Sequence, residues 1–335
     1  MTVDRVKFLA GRLGSMIVVL LVLAFIVFLL QRYTPADPVR VKLGANASPE
    51  LVEAERERLG YNDPLPVQYV NYIKGVLTGD LQDSLRTRNP VTTDLSQAVP
   101  ATLELTLVAV IIAAILAVSL GLASAARMRG SGVLRVVMIA GASAPVFLLA
   151  LLGLLFFYRR LQWLPATGRT SISDAPEGPT KLLLVDSLMK GRFDVFTDSF
   201  KHLLMPAFCI ALGPAVAIGR TLRGSILDTM SSDYVRTARA KGLKERTVLF
   251  KHTLRNSASA ALSMSGLQVG LMFAGVVVIE SIFAFPGIGF YVVQAIPRLD
   301  YPAIAGVTLL LGATYVVLNT IVDILQGVAD PRLRV

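Results

Sequence analysis

The sequence predicts an all-α integral membrane protein with six membrane-spanning helices. Of its 335 residues, 54% are hydrophobic and 17% are charged, whereas about 25% are charged in an ordinary soluble domain. The apolar residues are grouped in blocks of about 20, the length that a helix needs to cross a bilayer. No Gly/Ser-rich linker or low-complexity segment separates the blocks. We therefore expect one transmembrane domain over residues 1–335.

The apolar blocks place the six spans. The first is predicted over residues 13–33, where eighteen apolar-biased residues, 13–30, follow a basic start. A signal peptide also begins with basic residues, but its apolar core is shorter and ends at a small-residue cleavage site. The sequence therefore favours a retained first span. The other five spans are predicted at residues 99–125, 133–157, 203–219, 262–284 and 303–327.

Two long polar connections, residues 34–98 and 158–201, separate spans. The stretch SPELVEAERERLG in the first connection has Ser48 as a possible N-cap, Pro49 at the first helical position and Gly60 as a stop signal. It predicts a short helix outside the membrane.

The charge distribution predicts the orientation. Residues 220–256 contain nine Lys or Arg and three acids, a difference of +6, whereas residues 34–98 contain seven and nine, a difference of −2. Lys and Arg concentrate in cytoplasmic loops. We therefore expect both termini in the cytoplasm and both long connections outside. The short turn after the second span adds three basic residues to the cytoplasmic side: Arg127, Arg129 and Arg135.

Groups for catalysis or metal binding are sparse. The single cysteine, Cys209, excludes an intramolecular disulfide, and His202 and His252 lack metal-ligand spacing. The sequence has no G-x-S-x-G, H-E-x-x-H or phosphate-binding G-x-x-x-x-G-K-[ST] motif. The net charge is +10. The basic residues lie between the predicted membrane spans, and this location disfavours a nucleic-acid partner. We expect no cofactor in this chain. If the protein transports a solute actively, the energy must come from an ion gradient or from another subunit.

A few polar residues fall within the predicted spans, where such residues often mark a functional path. Glu104 and Glu280 lie near the outer ends of spans two and five, and Gln268 lies deeper in span five. Asn319 and Asp323 lie near the inner end of span six. We predict Glu104, Gln268 and Glu280 as residues of a translocation path. The alternative is interfacial solvation or hydrogen bonding between helices.

The most unusual stretch is DYVRTARAKGLKERTVLFKHTLRNS, residues 233–257. It has seven Lys or Arg against two acids. On each side of Gly242 the apolar residues recur at helical spacing, which predicts two short amphipathic helices joined at the glycine. Such a segment can lie on anionic lipid. The small residues before the glycine favour a close fit into a protein groove instead.

In this stretch the chain resembles the membrane permease subunits of ABC importers, in particular the peptide and nickel group. DYVRTARAKGL is similar to that group's form of the cytoplasmic EAA coupling loop. Of the broad Glu-Ala-Ala…Gly pattern it keeps only Ala238 and Gly242. Further similar motifs occur in order along nearly the entire chain, including VPATLELTL, WLPATGR and FAFPGIG. Two departures are Phe285, often Trp in the family, and the missing proline after LRNSASAAL.

The resemblance implies a type I importer permease in the bacterial inner membrane. It implies a second, similar permease as partner, two cytoplasmic ATPase domains that bind ATP and Mg, and an extracytoplasmic binding protein. Residues 34–98 and 158–201 would then be candidates for docking the binding protein. Residues 220–257 would form the coupling loop, whose ATPase-contacting residues are predicted as Asp233, Tyr234, Arg236, Thr237, Ala238, Arg239, Ala240, Lys241, Gly242 and Leu243.

Alternative functions remain open at this point. In the same importer class, the cargo could be dipeptides, longer peptides, nickel chelates, glutathione or haem. A stand-alone ion-coupled carrier is the alternative from another class, although we find no convincing internal repeat of the kind such carriers often show. An intramembrane enzyme is disfavoured by the absent catalytic motifs.

Overall fold

A computed structural model describes residues 2–33, 38–44, 47–125 and 131–329. These residues form helices and connecting turns, with one isolated antiparallel bridge between Asp83 and Pro90. The α-helices, numbered in chain order, are α1 Thr2–Arg32, α2 Pro38–Leu43, α3 Pro49–Arg58, α4 Leu65–Thr78, α5 Val91–Ala125, α6 Ser131–Ser143, α7 Val146–Gly153, α8 Leu183–Met189, α9 Phe193–Met230, α10 Asp233–Ala240, α11 Glu245–Thr247, α12 Arg255–Ile282, α13 Ile288–Ala295 and α14 Tyr301–Ala329.

Five continuous helical segments within the described residues are long and apolar enough to cross a bilayer. They lie at Leu13–Arg32, Val91–Ser124, Phe193–Met230, Glu245–Ile282 and Tyr301–Ile321. They correspond to predicted spans one, two, four, five and six, and confirm an all-α membrane protein. Several helices extend beyond the predicted bounds, because hydropathy detects only apolar turns while backbone hydrogen bonding continues a helix through polar flanks. The span predicted at 203–219, for example, lies inside α9, which covers 193–230.

The span predicted at residues 133–157 is not one regular helix. It consists of α6, a break before Pro145, α7 and a π-helical stretch at Leu154–Arg160. Proline lacks an N–H and clashes with the preceding helical turn, so α6 ends at Ser143 and a new helix begins after Pro145. Arg127 and Arg129, which contributed to the predicted orientation, lie outside the described residues.

Helix α9 is the centre of the bundle and packs against α5 along much of its length. Buried residues on α5 recur at intervals of four, and most of them are small: Ala101, Leu105, Ala109 and Ala113. Side chains at i and i+4 share a helix face, and small side chains let membrane helices approach closely. A Cβ added at Gly219 of α9 would lie 3.2 Å from the carbonyl oxygen of Ala117 on α5. The α5–α9 contact is therefore set by backbone proximity.

The polar connection 34–98 contains the short helix predicted there. Helix α3 begins after Ser48, whose Oγ accepts a 3.3 Å hydrogen bond from the Leu51 N–H, and Gly60 has a φ of 70°. The neighbouring helix α4 packs on α1, and the Tyr69 hydroxyl donates a 2.9 Å hydrogen bond to the Leu21 carbonyl across this contact. The connection is thus attached to the first span.

Candidate functional site

The basic segment, residues 233–254, forms the first short helix and the glycine turn predicted from the sequence, whereas the second predicted short helix is the start of the continuous helical segment 245–282. Helix α10 ends at Ala240, and Gly242 follows with a φ of 73°. The Gly242 N–H donates to the Arg239 carbonyl at 2.9 Å, and the Leu243 N–H to the Ala238 carbonyl at 3.3 Å. This pair of bonds is the Schellman arrangement, which places a left-handed residue, usually glycine, just beyond the helix. The second helix starts at Glu245, so the glycine reverses the chain.

The inner face of the basic segment packs on the segment itself. Val235 and Ala238 are buried and form a small cluster with Val248 of the second helix. Ala238, at 6% exposure, therefore has its methyl group against its own chain. A small side chain at this position allows the two short helices to approach each other.

The outer face of the basic segment is exposed. The Arg239 guanidinium contacts the Glu245 carboxylate across the glycine turn, with Nε 2.8 Å from Oε1, and Arg236 pairs with Asp233. Exposed ion pairs of this kind contribute about 0–1 kcal/mol, so a protein partner can displace them at little cost. Nine of the ten predicted coupling residues are exposed: Asp233, Tyr234, Arg236, Thr237, Arg239, Ala240, Lys241, Gly242 and Leu243.

The basic segment continues into the membrane helix without a break. Residues 245–282 are helical throughout, with a π-helical stretch at Val248–Leu254. Here the Thr253 hydroxyl donates to the Val248 carbonyl at 3.1 Å. The proline that the family often has after LRNSASAAL is absent, and the helix is continuous through this position. A 38-residue helix spans about 57 Å, so one element joins the glycine turn to the opposite end of the molecule.

The base of α12 is fixed to α9. The Ser257 hydroxyl, which is buried, lies 3.0 Å from the Ser225 carbonyl and 3.0 Å from the Thr229 hydroxyl. Leu222 and Ile226 of α9 are buried in a neighbouring apolar cluster. A displacement of the basic segment would therefore act on α9 and α12 together.

Glu280 lies at the far end of α12 and is fully buried. Its carboxylate accepts hydrogen bonds from the Gly289 N–H at 2.6 Å and the Phe290 N–H at 3.2 Å. These are free N–H groups in the first turn of α13, where a carboxylate is also favoured by the helix dipole. Glu280 therefore caps α13. A Cβ added at Gly287 would lie 2.1 Å from Glu280 Oε1, which explains the first glycine of FAFPGIG.

Glu104 joins α5 to the connection 158–201. Its carboxylate accepts from Arg169 Nη2 at 2.7 Å and Nε at 3.1 Å, and from the Leu184 N–H at 2.6 Å. The side chains of Glu104 and Arg169 are 5% and 17% exposed. Each charge therefore has its partner where little water reaches, and the pair holds the connection against the bundle.

A second polar cluster joins the stretch after α4 and the start of α5 to α13 and to the turn before α14. The Ser84 hydroxyl and the Arg86 N–H both donate to the buried Asp300 carboxylate, and the Tyr291 hydroxyl donates to Asp94 at 3.0 Å. Burial raises the pKa of Tyr291 above its usual range, and the neighbouring Asp94 acts in the same direction. The phenol therefore stays neutral and remains a donor.

The three predicted path residues have different surroundings. Glu104 and Glu280 are both engaged by protein partners, whereas Gln268 borders a cleft in the middle of the bundle. Their role in translocation stays a prediction. Asn319 is half-buried, and the side chain of Asp323 lies outside the described residues.

Sequence reasoning missed Arg169 and Thr102. Both occur in the motifs WLPATGR and VPATLELTL, which carried the family resemblance, but no local signal indicated their partners. Those partners lie 65 and 178 residues away along the chain.

Comparison with known proteins identifies the family. Residues 115–335 match the family described as binding-protein-dependent transport system inner membrane component, and residues 5–106 match the N-terminal family of such components. The chain is 37% identical to a dipeptide transport system permease protein of Alkalihalophilus pseudofirmus, over 96% of this chain and 98% of the relative. It is 38% identical to a di/tripeptide transport system permease protein of Pseudomonas aeruginosa, over 98% of each. With coverage of this extent, the chain belongs to the family of binding-protein-dependent transport system inner membrane components.

Proposed function

We propose that this chain is a permease subunit of an ATP-driven importer that forms part of the transmembrane path for di- and oligopeptides. The observation that carries the proposal is the continuous helix over residues 245–282. It joins an exposed basic turn at one end to a buried carboxylate that caps α13 at the other. Relatives named for dipeptide and di/tripeptide transport support peptides as the cargo.

In this proposal the chain lies in the bacterial inner membrane with both termini and the basic segment in the cytoplasm. Two ATPase domains bind and hydrolyse ATP with Mg, and one of them contacts the outer face of α10. A second, similar permease completes the path. An extracytoplasmic binding protein delivers the solute to the side formed by residues 34–98 and 158–201. Membership in a transport permease family supports a role without catalysis by this chain.

The packing explains how ATPase movement would reach the path. A push on α10 is transmitted through the Val235–Ala238–Val248 cluster to the second short helix. That helix continues directly into α12, whose base is bonded to α9 through Ser257. Interfaces packed this closely shift as units and do not deform continuously. Alternating closure and opening around the path would follow from rotation of α12 and α9.

The test is reconstitution of the complex in vesicles with radiolabelled dialanine and the cognate binding protein. We expect uptake that requires both ATP and the ATPase subunits. Uptake by the isolated chain, driven by an ion gradient, would contradict the importer and favour the stand-alone carrier. Mass spectrometry of ligands on the binding protein separates peptides from nickel chelates, glutathione and haem.

A further inference from the structure

A cleft of about 300 Å³ opens between the broken third span, α9 and α12. Ala144 and Val146 line it beside the break, Gly213 and Pro214 on α9, and Gln268 and Leu271 on α12. The volume is at the lower end of the range for small-molecule sites, about 300–1,000 Å³. Pro145 lies at the break in one wall, and Pro214 lies within the continuous helix α9 that forms another.

Gln268 supplies the amide group of this cleft. Apart from the Cys209 thiol, every other lining side chain is apolar. Among the described residues, the Gln268 side chain makes one hydrogen-bond contact, from its Nε2 to the Met264 sulfur at 3.8 Å. Thioether sulfur is a weak acceptor. The amide oxygen and the second amide hydrogen remain available. An unsatisfied amide is unfavourable in an apolar membrane interior. Gln268 is half-buried, so a polar group that enters the cleft can reach its amide.

One residue that lines the same cleft has a backbone carbonyl without its helical donor. Pro214 is inside α9 and has no N–H, so the carbonyl of Ile210, four residues earlier, lacks its helical donor. Ile210 also lines the cleft. The lining residues thus combine one donor–acceptor side chain with one backbone carbonyl that has no i+4 helical donor. This combination complements an amide, which has one N–H and one C=O.

We propose that the cleft binds a main-chain amide of the transported peptide. Gln268 donates to the peptide carbonyl, and the Ile210 carbonyl or the Gln268 oxygen accepts from the peptide N–H. The apolar walls accept side chains without contributing charged groups that would select among them. The inference rests on the proposed function, and it adds the point in the membrane where the peptide backbone is recognised.

The first test compares Gln268→Leu with wild type in the reconstituted complex, with dialanine as the probe. Leucine has a similar size but removes both hydrogen-bonding atoms, so we expect uptake to fall about tenfold or more. The matched control is Ser265→Ala. Ser265 also lies on α12, but its hydroxyl donates to the Ala261 carbonyl at 2.8 Å and does not line the cleft. This control should keep wild-type uptake.

The outcomes separate the two proposals. If wild type takes up dialanine and Gln268→Leu does so equally, the cleft assignment is wrong while the importer proposal stands. If wild type takes up no dialanine with either ATP or an ion gradient as the energy source, the proposal of peptide import is wrong, and the assignment of the cleft is wrong with it.

A second measurement needs no change at Gln268. In a Cys209→Ala background, Leu271→Cys places a thiol at the rim of the cleft for reaction with a small methanethiosulfonate reagent. We expect dialanine to slow the reaction severalfold in the working complex, and N-methylated dialanine, which lacks the amide N–H, to protect less. An unchanged reaction rate with dialanine, in a complex that transports it, would show that lipid or the second permease occupies the cleft and would overturn the proposal.

Discussion

The Thr102 hydroxyl donates a 2.6 Å hydrogen bond to the Glu280 carboxylate, joining α5 to the end of α12. The same hydroxyl accepts from the Ile288 N–H at 2.8 Å, so it also contacts the start of α13. Thr102 and Glu280 are 1% and 0% exposed. One side chain therefore fixes the relative positions of three helices at the end of the bundle opposite the basic segment.

Removing this hydroxyl should loosen the contact. We expect Thr102→Val, which has nearly the same shape, to lower the free energy of unfolding by about 1–3 kcal/mol, because a buried carboxylate and a buried N–H each lose a partner. Thr102→Ser keeps the hydroxyl and should cost less. Thermal unfolding of the purified complex in detergent measures both. Equal melting temperatures for Thr102→Val and wild type would show that the bond contributes nothing.

The Glu104–Arg169 pair should matter more than an exposed pair of the same geometry. Removing one partner of a buried ion pair costs about 3–5 kcal/mol, and the 17% exposure of Arg169 places Arg169→Gln toward the lower end. We expect faster proteolysis within residues 158–201. Arg58→Gln is the matched control, because Arg58 pairs with Glu55 at 2.6 Å but is 65% exposed. Equal proteolysis of the two variants would argue against the anchoring role.

The orientation can be tested by labelling. Glu177 and Lys244 are both exposed and lie in connections predicted to face opposite sides of the membrane. In a Cys209→Ala background, we expect Glu177→Cys to react with an impermeant thiol reagent in intact cells and Lys244→Cys to react only after permeabilisation. Labelling of Lys244→Cys alone in intact cells would invert the proposed topology.

The basic segment gives a prediction about coupling. Ala238→Asp would place a charge against Val248, and Gly242→Asp would strain the left-handed turn by about 1 kcal/mol or more. We expect both variants to insert in the membrane but to abolish uptake and weaken copurification of the ATPase. Lys244→Gln, on the exposed side, should be mild.

The measurements are uptake in vesicles, ATPase activity and pull-down of the ATPase. Normal uptake by both Asp variants, together with an inactive Lys244→Gln, would support lipid binding by the basic charge and contradict ATPase docking.

The structure also gives Ala238 a specific role. Its methyl group faces Val248, so Ala238→Asp should act by separating the two short helices.

The sequence by itself determined the helical membrane class, the order of the long apolar helices and the glycine-joined pair in the basic segment. These features depend on residues close along the chain, because apolar run length and helical spacing are local properties. The family resemblance depended on motifs read in order, and the comparisons confirmed it.

Only the tertiary structure decided what the polar residues contact. Glu104 and Glu280 have the same sequence signal as path-lining acids, since each interrupts an apolar helix. Their partners Arg169 and Gly289 come from other elements, and burial without a partner would be costly. The break between α6 and α7 gained meaning in the same way, because the fold brings Ala144 and Val146, together with Ile210, to the cleft that Gln268 lines. A local pattern specifies a helix, but the partner of a buried polar group depends on which helices pack together.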